Sequence, residues 1–125
     1  VELPVPGEAR WGGFLVRAEQ GVAFRAPDPA REAFFDSEAL GSRLRVRSRL
    51  PGDSIHPLGA PGARKLQDVF TDARVPRSAR DRVPVVVGDC GLVWVAGLVV
   101  AEGARIVRDT RSIVRLSVET DRGEH

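Results

Sequence analysis

LRVRSRLPGDSIHPLGAPGARKLQDVFTDARVPRSARDRVPVVV, residues 44–87, contains in sequence the signals that decide the fold. From Arg43 to Arg49 the pattern has period two: Leu44 and Val46 point one way, Arg43, Arg45, Arg47 and Arg49 the other, which predicts a strand with a guanidinium face. Four like charges on one face repel unless acids or an anion sit nearby; the alternative is a plainly solvated strand face. Leu50 to Ala63 then packs three prolines and three glycines into fourteen residues, a long loop with turn chemistry at Gly52-Asp53. Leu66, Val69 and Phe70, spaced i, i+3, i+4, predict a helix from about Arg64 to Asp72 with that stripe facing a core. Pro76 suits the first position of a short helix from Arg77 to about Arg82, which Pro84 ends.

Working outward, the C-terminal side reads as sheet. Val83–Val87, the turn Gly88-Asp89-Cys90-Gly91 and Leu92–Ala96 predict a hairpin, followed by strands over Gly97–Ala101 and Ser112–Glu119. Trp94 is expected in the core, and residues 120–125, TDRGEH, as a frayed terminus. On the N-terminal side, residues 1–13 read as a Pro/Gly-rich tail entering the domain. Phe14–Glu19 and Val22–Ala26 predict a pair of short strands around Gln20-Gly21. Phe34-Phe35 is read as strand and Asp36–Leu40 as one helical turn. The fold class is therefore α+β, a mixed or antiparallel β-sandwich with short helices. Residues 1–42 supply strands leading into the domain, 43–120 its core, and 121–125 a tail.

Charge is unevenly spread. Between Arg43 and Arg82 lie ten of the 19 basic residues and only four of the 17 acids, although the whole chain is only +2. A basic centre between mildly acidic flanks points to an anionic partner, most directly a phosphate backbone. With 125 residues and 42% hydrophobic composition, one domain with a real core is expected. No apolar run approaches the roughly 20 residues that span a bilayer, and the N-terminus lacks signal-peptide regions, so a cytoplasmic protein with no membrane partner is expected. The chain has no methionine, even at position 1, which suggests a piece of a longer protein.

Chemistry-bearing motifs are sparse. Cys90 is the one cysteine, so an internal disulfide and a cysteine metal cluster are excluded, and its GDCG setting reads as a small residue in a turn. His56 has no partner at ligand spacing and is expected packed or hydrogen-bonded. Phosphate-binding and hydrolase signatures are absent. An acid–base site can be assembled on paper from Asp53, His56 and Asp68, but their spacing does not require it. Arg64 and the sole lysine, Lys65, fall in the expected first turn of the helix, where they can hold a phosphate with backbone N–H groups; two ordinary exposed cations are the alternative.

Gly52-Asp53, Pro57-Leu58-Gly59, Gly62, Lys65-Leu66, Asp68, Phe70, Val75-Pro76, Arg80-Asp81, Pro84-Val85-Val86 and Trp94–Leu98 fall in an order that resembles the C-terminal region of bacterial tRNA(Ile)-lysidine synthetases. The resemblance covers about half of the chain, departing at Ser54 and Gln67, where many relatives carry a basic residue. It implies an α+β sandwich with helices, similar to a domain of the phenylalanyl-tRNA synthetase β subunit. It also implies that a parent ligase uses ATP to join lysine to the wobble cytidine of isoleucine tRNA. That catalysis belongs to an N-terminal domain with an SGGxDS loop, which this sequence lacks, so no catalytic residue, cofactor or metal is expected here. The expected partners are isoleucine tRNA, near its acceptor stem, and the parent's own catalytic domain; a homodimer is left open.

A-form stems offer phosphates, 2′-hydroxyls and a shallow groove, for which arginine forks are suited. Arg45, Arg47, Arg49, Arg64, Lys65, Arg74, Arg77 and Arg80 are therefore expected to form one RNA-facing surface. Two competing readings stay open. In one, the basic face docks on an acidic protein surface; in the other, the chain is a small enzyme using Asp53 and His56.

Overall fold

The computed structural model describes residues 1–121, so the tail expected over 121–125 lies, from Arg122 on, outside the described residues. Two antiparallel sheets face each other. The first contains β1 (Glu2–Pro4), β5 (Arg43–Arg47), β8 (Val85–Gly88), β9 (Gly91–Val95) and β10 (Val99–Val100), in that spatial order. The second runs β2 (Gly7–Trp11), β3 (Phe14–Gln20), β11 (Ile113–Thr120), β4 (Glu32–Asp36). Between them lies one core, to which Leu44, Val46, Val86 and Trp94 contribute from one sheet and Val16, Phe35, Val114 and Leu116 from the other. Trp94 is fully buried, as its pattern predicts.

The first sheet is covered on both sides. Val85 and Val95 leave its outer face and join a second core with Ile55 and with Leu66, Val69 and Phe70 of α2 (Leu66–Asp72). The remaining pieces are α1 (Ser37–Leu40), a ribbon of β6 (Ser54–Ile55) with β7 (Arg64–Lys65), and α3 (Arg77–Arg80). Asp36 caps α1 by accepting from the Glu38 and Ala39 N–H groups. Gly41 ends it at φ 83°, a conformation that favours glycine, and a Cβ there would meet the Asp89 carboxylate at 2.3 Å. The α+β sandwich with short helices is thus observed.

Four local expectations are corrected. Residues 1–13 are not a tail: β1 pairs with β5 and β2 with β3, and Leu3 is buried. Val22–Ala26 is not a strand. The two sides of β3 are taken by β2 and by β11, some hundred residues later in the chain, so no edge remains for a local hairpin partner. The segment lies instead against the outer face, where Phe24 meets the Phe34 ring edge-on at 5.5 Å and Arg25 bonds Glu32. Arg64 and Lys65 belong to β7 rather than to the helix, which starts at Leu66. Of Gly97–Ala101, only Val99–Val100 is strand.

Glu32, nearly buried at 4% exposure, joins this outer face together. Its carboxylate accepts from Arg25, from the Asp28 N–H at 3.0 Å and from Arg115 Nε at 2.7 Å. Arg25 foremost, then the Asp28 N–H and Arg115, hold the carboxyl down to about 2 against the opposing effect of burial. A group whose folded pKa lies below its ordinary value stabilises fully above that ordinary value and loses its contribution as pH falls towards the folded one. Here the window runs from the ordinary 4.5 down to about 2. The Glu32→Gln variant is expected to melt lower than the parent at neutral pH and to lose less across that window. Thermal melts of both at several pH values check this, and parallel curves would contradict it.

Candidate nucleic-acid interface

Period two in β5 puts Arg43, Arg45 and Arg47 on the outer face of the first sheet, in register with Val87 and Val85 across β8. The helical layer packs on Val85 and Val87, whereas Arg43 and Arg45 are exposed and Arg47 is half-buried. How each cation behaves then depends on what the loop and helices bring to it.

Arg47 is taken up internally. Its guanidinium grips Asp53 with both ends, Nη1–Oδ2 at 2.8 Å and Nη2–Oδ1 at 3.1 Å, and also donates to the Ser48 carbonyl. Asp53 accepts in addition from the Leu50 N–H at 2.7 Å. Arg47, then that N–H, lower the Asp53 pKa against its partial burial. Arg49 donates from Nε to Asp81 at 3.0 Å and lies over the Phe70 ring at 5.8 Å. Arg64 bonds Asp72 along α2. Arg80 is buried, donates to the Val75 carbonyl at 2.9 Å and lies over Phe70 from 5.7 Å. Of the arginine run, Arg47 and Arg49 are neutralised by acids and Arg43 and Arg45 are not; counting Arg64 as well, three of the block's four acids are spent in ion pairs.

Four of the eight expected RNA-facing residues, Arg47, Arg49, Arg64 and Arg80, therefore have partners inside the chain. The other four, Arg45, Lys65, Arg74 and Arg77, are exposed and have no ion-pair partner among the described residues. Arg43 and Arg82 share that condition, although neither was among the eight. The available signal for Arg43 was its place in the same period-two run. Lys65 and Arg49 line one cleft, and Arg43 and Arg45 border another along the β1–β5 edge. Arg74 and Arg77 stand apart, in the α2–α3 link and on α3.

The acid–base site drawn on paper is not assembled. Asp53 is held by Arg47, while His56 is exposed and its Nε2–H donates to the Ala60 carbonyl at 2.6 Å. No group of three His, Cys, Asp or Glu side chains is placed to hold a metal among the described residues. Cys90 falls in the β8–β9 turn, its thiol pushed up by burial and by Asp89. No helix among these residues is long and apolar enough to cross a membrane.

These elements define an α+β sandwich module with a cationic border. The family profile described as the TilS substrate C-terminal domain matches residues 44–117, and the chain belongs to this family. A tRNA(Ile)-lysidine synthase of Symbiobacterium thermophilum is 40% identical over 122 residues, which span 93% of this chain and 25% of that protein. One from Dehalococcoides mccartyi is 29% identical over 124 residues, 90% of this chain and 26% of that protein. The chain thus spans about a quarter of the length of these curated relatives. A crystal structure of a TilS C-terminal domain superposes with a TM-score of 0.77 at 27% identity, over 98% of this chain and 92% of the other. An N-terminal fragment of the phenylalanyl-tRNA synthetase β-subunit from Pyrococcus horikoshii shares the fold, with a TM-score of 0.59 at 12% identity over 70% of this chain and 27% of that one.

Proposed function

We propose that this domain binds isoleucine tRNA, in the acceptor-stem region, as the recognition part of an ATP-dependent lysidine-forming ligase whose catalytic groups lie in an N-terminal domain. The observation that carries this reading is the set of exposed, unpartnered cations within the basic block. Arg43, Arg45, Lys65, Arg74, Arg77 and Arg82 remain after the internal pairs are formed, with Asp68 the one acid of the block left without an ion pair among the described residues. Unpaired guanidinium groups bordering a rigid sheet suit phosphates presented by a stem. Cytoplasmic placement and contact with the parent's catalytic domain belong to the same reading. The test is titration of the chain with isoleucine tRNA at several salt concentrations. Each phosphate contact is expected to add roughly 0.9 to the slope of log affinity against log salt. A flat slope with retained affinity would favour docking on a protein surface instead.

Arg74 supplies a sharper check. It is the one non-glycine residue at positive φ among the described residues, at 58°, directly after α2. An L side chain pays about 1–2 kcal/mol there, of which glycine saves roughly half after its own entropy cost. An arginine kept at this cost is accounted for if its guanidinium contacts a ligand. Arg74→Gly is expected to raise stability by about 0.5–1 kcal/mol while weakening tRNA binding. If stability and affinity both rise or both stay level, Arg74 has no part in binding.

A further inference from the structure

The cleft that holds Lys65 has a volume of about 330 Å³ and lies between the Leu50–Asp53 turn and the start of α2. Its walls are fixed. The Asp53 N–H donates to the Leu50 carbonyl at 3.1 Å, the Leu66 N–H donates to the Asp53 carbonyl at 3.0 Å, and Gly52 turns the chain at φ 84°. Most polar groups on these walls are already committed: Asp53 to Arg47, and Arg49 and Asp81 to each other. Two remain, the Lys65 ammonium and the Gln67 side-chain amide; both residues are exposed, and neither side chain has a hydrogen-bond partner among the described residues.

The two groups differ in what they can distinguish. An ammonium is a point charge that any phosphate satisfies. An amide can also donate to a phosphate, but unlike the ammonium it carries an acceptor oxygen, which only a donor group can satisfy. In the shallow groove of a stem, A·U pairs present acceptors only, whereas guanine adds one donor, its N2 amino group. A cleft does not enter a groove, but the ridge of one sugar–phosphate strand enters a cleft and sets the wall residues against that groove. We propose that Gln67 is a specificity-determining residue, its amide oxygen accepting from a guanine N2 amino group while Lys65 holds the adjoining phosphate. This rests on the RNA-binding reading above.

The test uses two hairpins of the same sequence, both folded at the assay temperature, one with G·C pairs and one with every stem guanosine replaced by inosine. Inosine lacks only the N2 amino group. The chain is expected to bind the guanosine hairpin about three- to tenfold more tightly, as one net hydrogen bond allows. Gln67→Ala is expected to erase the preference, with the salt slope and melting temperature unchanged. Equal binding of both hairpins by the parent, or a preference that survives Gln67→Ala, overturns the assignment and leaves the cationic reading intact. Failure of both hairpins to bind at low salt overturns both readings.

Discussion

Phe70→Ala is expected to destabilise the chain by about 3–5 kcal/mol, the usual cost of emptying an aromatic core position. Phe70 is fully buried, and it is the largest side chain of the core between α2 and the outer face of the first sheet. That core has seven buried residues, too few to close around a missing ring. The ring is also the surface on which Arg49 and Arg80 lie, at 5.8 and 5.7 Å, so its loss removes one support from each guanidinium and leaves Arg49 on Asp81 and Arg80 on the Val75 carbonyl. Phe70→Leu, which keeps most of the volume, is expected to cost less than about 1.5 kcal/mol of packing. Urea unfolding of the three proteins measures this. A loss under about 1 kcal/mol for the alanine variant would mean that the helical layer does not share the cooperative fold of the sandwich.

The second large effect concerns charge. If the six unpartnered cations of the basic block each meet a phosphate, raising salt from 50 to 200 mM is expected to cut tRNA affinity about a thousandfold. Replacing Arg45, Lys65 and Arg77 together by alanine halves the number of such contacts, so the same change in salt should cost only about fortyfold. Stability should hold, because all three are exposed and outside the ion pairs. Fluorescence-anisotropy titration of both proteins at the two salt concentrations reads the slopes directly. An unchanged slope in the triple variant would place the phosphate contacts elsewhere, whereas a lowered melting temperature would assign the three residues to the scaffold. Arg80→Ala makes the contrast: as a buried group bonded to the Val75 carbonyl it should lower stability rather than the salt slope.

The alternation of β5, the apolar stripe of α2 and the burial of Trp94 were all legible locally, because each depends on a period or a bulk that a few neighbouring residues carry. The β1 and β2 strands were not, since the prolines and glycines around them resemble a tail until β5 and β3 are present to pair with. Val22–Ala26 has the composition of a strand, but β11 occupies the edge such a strand would need.

The candidate interface divides along the same line. Sequence by itself determined that a basic block exists, that one strand turns a row of arginines to one side, and which family the chain resembles. Only the tertiary structure decided which cations are available. Arg49 finds Asp81 across 32 positions, and Arg80 sinks onto Phe70, while Lys65 and Arg77, with the same charge and similar local surroundings, find no partner among the described residues. The physical reason is that hydrophobic periodicity is a local property, whereas an ion pair needs two side chains within about 4 Å. Which distant acid comes that close to a given arginine is set by the packing of the whole sandwich.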